Sequence, residues 1–272
     1  MTTDSTINAS TNPALANKAV SDAISLAEQE ATVQVQKEPL TLPSATEVEL
    51  LGGFYDPFEG VAMTAEIREL NGVDEEAISK ITDTGKALLE ILDRGTVKIG
   101  NSPANKEILD LMLAGDREML LLAIRKITFG SDIKLGPGAC PKCETQQVFD
   151  VNLDKDVPMK KLEGDREFTL PTSLGDVLVA LPNGATQREL VSGASKTSAE
   201  LDTILLRKCI ISINDTPIMS ADQVRKLTIK DRRTLVDEIT KRNPGPQLSE
   251  LKKPCASCGQ EVPLPLTLAD LF

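Results

Sequence analysis

Apolar and polar residues alternate on both sides of a Gly52-Gly53 turn region, with Val48 and Leu50 before it and Val61, Met63, Ala65 and Ile67 after it. A period of two predicts a pair of strands. Beyond Asn71-Gly72 the period lengthens. Ile78, Ile81, Leu88, Leu89 and Leu92 fall at helical spacing and predict a helix from Glu75 to about Asp93, capped by Asp74 and ended by Gly95. Two further helices are expected over residues 103–128. Pro103 opens the first, which carries Ile108, Leu109, Met112 and Leu113. Asp116 caps the second, whose Leu120, Leu121, Ile124 and Ile127 face inward until Gly130 stops it. Then Ile133 and Leu135, a Gly136-Pro137-Gly138 turn, Cys140-Pro141-Lys142-Cys143 and the run Val148, Val151, Leu153 read as strand, cysteine knuckle, strand. Ahead of all this, Leu15, Val20, Ile24, Ala27 and Ala31 predict a short amphipathic helix on a loose arm, residues 1–40.

The second half replays that order. Thr169-Leu170-Pro171-Thr172 echoes Thr41-Leu42-Pro43-Ser44, and Val177, Val179 and Leu181 form a strand. Asn183-Gly184 matches Asn71-Gly72, and Thr186 with Glu189 starts a helix as a capping box. A shift of 115 residues superposes Asp116-Arg117 on Asp231-Arg232, Leu120 on Leu235, Ile124 on Ile239, Lys126 on Lys241 and Gly130 on Gly245. It also superposes both cysteines of each pair and places Leu153 on Leu268, nine identities in 38 positions. The step from Asp116 to Cys140 and from Asp231 to Cys255 is 24 residues in each case. The expected fold class is therefore α+β in two related halves, residues 41–160 and 161–272. Each half has a small β element and helices and ends in a CxxC zinc-ribbon-like hairpin.

Composition narrows the function. Aromatics make up 3% of the chain, with no Trp, so Leu, Ile, Val and Ala must fill the core, and base-stacking platforms are lacking. A net charge of −11 repels phosphate backbones and anionic membranes. The stretch Arg207–Lys253 runs against this, with 11 basic and 6 acidic residues. It motivates an alternative, a zinc-ribbon adaptor touching nucleic acid through residues 207–253, while a solvated or protein-binding face is the plainer reading. No stretch approaches the roughly 20 apolar residues of a membrane span, and Met1–Pro13 lacks the features of a secretory signal. The chain has no histidine, which removes Ser-His-Asp and Cys-His catalysis and HExxH sites. Phosphate-binding glycine loops and calcium loops are also missing from the sequence. A non-enzymatic protein without a small-molecule substrate is expected.

The cysteines carry the remaining chemistry. A CxxC turn aims two thiolates at a point about 2.3 Å from a metal, so Cys140, Cys143, Cys255 and Cys258 together can complete a four-cysteine Zn2+ site. The 111 residues between the pairs exceed a ribbon's usual spacing. Gly259 after Cys258 suits a knuckle, whereas the first pair has Glu144 there. A redox dithiol, an iron–sulfur cluster and two disulfides are the competing readings. Cys209, beside Ile210 and Ile211, reads as a core residue.

Several short motifs from residue 40 to 155 fall in a recognisable order. They are Ile67-Arg68-Glu69-Leu70, Asp74-Glu75-Glu76, Gly115-Asp116-Arg117, Phe129-Gly130 and the Cys140–Cys143 knuckle. In that order the chain resembles the T4 bacteriophage base plate protein family, the phage hub-assembly proteins. The resemblance implies a structural or assembly protein of a phage tail baseplate or hub, with other tail proteins as partners. It would lie in the virion tail or, during assembly, in the host cytoplasm. A second copy and an N-terminal arm are departures from a single-unit pattern.

Overall fold

The alternation at Val48 and Leu50 becomes β1 (Thr46–Asp56), antiparallel to β2 (Gly60–Ile67) with Thr46 opposite Ile67 and Asp56 opposite Gly60. The computed structural model describes residues 45–56 and 60–272, all within the compact unit Ser44–Phe272. The 1–40 arm and its expected helix lie outside the described residues. Gly52-Gly53 does not turn the chain. The strand runs through it with a bulge between Glu49 and Phe54, and the helix behind approaches so closely that a Cβ on Gly52 would lie 2.5 Å from Leu113 Cδ1. Strands β3 (Thr96–Ile99) and β4 (Ser102–Pro103) complete a sheet of order β1-β2-β3-β4.

The single helix expected from Glu75 is two. Asn71 caps α1 (Gly72–Ile78), and Asp74 closes a capping box as its third residue. Asp83 then starts α2 (Thr84–Gly95) by accepting the Lys86 N–H, a local bond that competes with a continuous helix. Pro103 lies in β4 instead of opening a helix, and Asn105 caps α3 (Lys106–Leu111). Asp116 also has a different task. It is the third residue of α4 (Ala114–Phe129), fully buried, and its Oδ1 accepts the N–H groups of Leu51 (2.7 Å) and Gly52 (2.8 Å). It satisfies the bulged strand, which lacks ladder partners there. Gly130 ends α4 at φ +87°, and β5 (Asp132–Ala139) pairs with β6 (Gln146–Asn152) as the first cysteine hairpin.

After the short β7 (Met159–Lys160), the element order recurs. Strands β8 (Glu167–Thr172) and β9 (Gly175–Ala180) lead into α5 (Gly184–Ser192) and α6 (Ser198–Cys209). Then come β10 (Ile210–Ile213), β11 (Thr216–Pro217), α7 (Ala221–Arg225) and α8 (Ile229–Arg242). The second sheet has the order β8-β9-β10-β11. Asn183 caps α5 as Asn71 caps α1; Thr186 sits inside the helix and donates its hydroxyl to Asn183 Oδ1. The short β12 (Gly245–Pro246) pairs with β7, and β13 (Lys252–Pro254) pairs with β14 (Glu261–Pro263) as the second cysteine hairpin.

Among the described residues, three buried clusters form the core: one under the first sheet, one under the second, and one made by both hairpins together. Helix α4 reaches two of them, with Leu120, Leu121 and Ile124 in the first and Leu122 in the hairpin cluster. A helix apolar on so many sides must be central. Its N-terminus presses on β12, where a Cβ on Gly115 would sit 1.7 Å from the Pro244 carbonyl oxygen. Arg117, fully buried, pairs with Asp110 of α3 (3.2 Å), which also pairs with Arg188 of α5. Gly184 leaves room for that guanidinium.

Candidate metal centre

Each cysteine pair sits at the tip of its hairpin, and the two tips share one backbone pattern. The Cys140 N–H donates to the Thr145 carbonyl (3.1 Å) and the Glu144 N–H to the Cys140 carbonyl (2.9 Å). In the second tip, the Cys255 N–H donates to the Gln260 carbonyl and the Gly259 N–H to the Cys255 carbonyl, both at 2.8 Å. Such a turn needs a left-handed residue after the second cysteine. Gly259 supplies it at φ +69°, and Glu144 adopts the same conformation at φ +57°. The Glu144 departure therefore changes the cost of the knuckle and leaves its shape intact.

The hairpins bring the four sulfurs together across 118 and 112 residues of sequence: Cys140 Sγ lies 3.7 Å from Cys258 Sγ, and Cys143 Sγ 3.6 Å from Cys255 Sγ. All four lie within 4.8 Å of one another. A disulfide needs about 2.05 Å, so these are free thiols, as is Cys209. Four thiolates about 2.3 Å from a central zinc would stand roughly 3.8 Å apart, close to the 3.7 and 3.6 Å separations between the hairpins. The donor set and spacing fit that ion. Cys140 and Cys255 are buried in the hairpin cluster, while Cys143 and Cys258 lie at the surface.

The surroundings favour thiolate on the first knuckle. The Thr145 hydroxyl, 3.3 Å from Cys143 Sγ, and then the Thr145 amide hold the Cys143 thiol down at about 6. The amides of Cys143 and Lys142 lower Cys140 as well. At Cys258 the Gln260 amide pulls downward, but desolvation and the three neighbouring cysteines outweigh it and push the thiol up to about 11. Four sulfurs this close cannot all carry charge unless a cation compensates them. Gln147 of β6 ties the tips together: its Oε1 accepts the Ala256 N–H (3.1 Å) and lies 3.9 Å from Cys255 Sγ. Neither Thr145 nor Gln147 has a sequence signature, because their role depends on the partner hairpin.

The other singled-out residues lie elsewhere. Cys209 is buried under the second sheet, and burial pushes its thiol up to about 12. Arg207 and Lys208 pair with Glu189 and Lys253 with Asp156, acidic residues outside 207–253, so part of the stretch's basic excess is met by other parts of the fold. Among the described residues, no helix is long and apolar enough to cross a membrane.

The sequence pattern of the family described as T4 bacteriophage base plate protein matches residues 63–243. The chain belongs to that family. Membership supports a structural role in a phage baseplate, among other tail proteins, and the α+β architecture stands on the strands and helices described above. The match runs from β2 to the end of α8, well past the residues 40–155 that carried the sequence resemblance. The matched range covers Cys140 and Cys143 and ends before Cys255 and Cys258. No curated protein and no solved structure matches the chain.

Proposed function

We propose that this chain is a non-enzymatic structural or assembly protein of a phage tail baseplate or hub, and that one zinc ion on Cys140, Cys143, Cys255 and Cys258 locks together the hairpins that close its two halves. The family match carries the baseplate part of this reading. The convergence of four sulfurs from two distant hairpins carries the zinc part. A site filled by four thiolates has no open position for water or substrate, so the metal's contribution would be structural. Its binding energy, on the order of 10 kcal/mol in small zinc domains, would be coupled to folding of the hairpin cluster. We also read residues 41–160 and 161–272 as halves related by internal duplication, supported by the recurring element order and the equal 24-residue steps.

Native mass spectrometry of the full chain tests the zinc part: one zinc per chain is expected, and Cys→Ser at any of the four site positions should lose it. Reversibly oxidised, metal-free cysteines would sink that part. Proteomics of purified particles tests the baseplate part, which fails if the chain neither enters tails nor is required for tail assembly.

A further inference from the structure

The junction between α3 and α4 meets the capped start of α5 through backbone bonds. Leu113 bridges Asn183, the Ala114 N–H donates to the Pro182 carbonyl, and the Gly184 N–H donates to the Met112 carbonyl, both at 2.9 Å. Two side-chain pairs flank the bridge: Arg188 of α5 with Asp110 of α3, and Gln187 Nε2 with Glu118 Oε1 at 2.9 Å. Each half of the chain carries a version of both partners. Asn71-Gly72 starts α1 as Asn183-Gly184 starts α5, and the 115-residue shift places Leu227-Thr228-Ile229 on Met112-Leu113-Ala114. Inside the chain the first half uses its junction and the second half its helix start. The other two parts are left bare.

Both bare parts are equipped for the same contact. The Leu70 carbonyl and Gly72 N–H, counterparts of the Pro182 and Gly184 groups, make no hydrogen bond among the described residues, and neither do the Leu227 carbonyl and Ile229 N–H. Val73 and Ile229 are each 73% exposed, whereas their counterparts, Ala185 and Ala114, are half-buried and buried. The flanking charges match as well. Arg225 and Glu76 stand where Asp110 and Arg188 do, and Arg233 and Glu75 where Glu118 and Gln187 do. All four are exposed, and Arg225 has only the exposed Asp222 as an ion-pair partner. We propose that copies of this chain associate head to tail, with Leu70–Val73 of one copy seated on Leu227–Ile229 of the next. A two-fold contact of either patch with itself would set Glu75 and Glu76, or Arg225 and Arg233, against their own kind, which the head-to-tail contact avoids. Such a contact leaves one free end on each side and extends into a ring or a filament. The inference rests on the reading of residues 41–160 and 161–272 as corresponding halves, and uses neither the zinc nor the baseplate assignment.

Sedimentation velocity of the full chain, kept reduced and run as a concentration series, is the test. Self-association that weakens as salt rises is expected. Val73→Asp and Ile229→Asp, both at exposed positions, should each weaken it roughly tenfold or more while leaving the circular dichroism spectrum unchanged. Mixed together, the two variants should form a one-to-one pair and grow no further, because each keeps the surface that the other has lost. Glu75→Arg should also weaken association, and adding Arg233→Glu to the same chain should restore it. A chain that stays monomeric at every concentration, its bare ends open to a different tail protein, would overturn the proposal. Association that neither aspartate variant weakens, or a mixture that fails to pair, would overturn it too. None of these failures touches the correspondence of the halves, which rests on the elements that recur within one chain.

Discussion

Glu144 holds a left-handed backbone that its knuckle counterpart gives to glycine. Relieving that strain should stabilise the protein, so Glu144→Gly is expected to gain about 1 kcal/mol and raise Tm by a few degrees in calorimetry. Two carboxyls, buried Asp74 and half-buried Glu118, should shape the pH profile in opposite directions. The Arg68 guanidinium, then the Asn71 amide and Arg94, overcome burial and hold Asp74 at about 2. Its stabilisation is present above the ordinary value near 3.8 and is lost as pH falls through 2. Asp74→Asn should therefore cost roughly 2 kcal/mol at neutral pH in urea unfolding, with the difference vanishing in acid. Glu118 behaves conversely, because burial raises it from 4.5 to about 7. Its contribution is full below 4.5 and is lost as pH rises through 7, on the order of 3 kcal/mol in all. Glu118→Gln should flatten stability between those pH values; an unchanged slope would refute the assignment.

At the scale of elements, α4 and α8 occupy matching places in the recurring order but do different work. Helix α4 is buried from Ala114 to Arg117 and again from Leu120 to Ile124, whereas α8 buries Leu235 and Ile239 alone. Leu122 is the α4 side chain that joins the hairpin cluster. Leu122→Ala and Leu235→Ala should each cost about 2–5 kcal/mol. Only the first is expected to speed metal release to a chromogenic chelator; equal release rates would separate α4 from the metal centre. The apolar period marks the helical stretches of the first half, but the stretch 75–93 divides into α1 and α2, and the helix starts differ from those expected at Asp74, Pro103, Asp116 and Thr186. At Asp74 and Thr186 an upstream Asn caps the helix instead, at Pro103 the chain stays extended until Asn105 caps α3, and the Asp116 carboxylate serves the bulged β1. A cap depends on local spacing, and several polar residues near a helix start can satisfy the same N–H groups.

Across the whole molecule, the two element sets meet where α4 touches β12. The 1.7 Å separation left for a Cβ on Gly115 means that Gly115→Ala must push the Pro244 backbone away. A loss of at least about 3 kcal/mol is expected, with faster proteolysis near residue 244. That constraint was invisible in the sequence, where Gly115 served as part of a motif. The chain's own pattern determined its α+β class, the first strand pair, the helical stretches of the first half, the recurrence after 115 residues and the two knuckles. Those features follow from local periodicity and turn chemistry, which act over a few residues. Only tertiary structure decided that sulfurs more than a hundred residues apart meet, that Asp116 serves β1, and that Thr145 and Gln147 attend the cysteines. Such contacts join positions far apart in the chain, and spacing along one strand or helix carries no record of what packs against it.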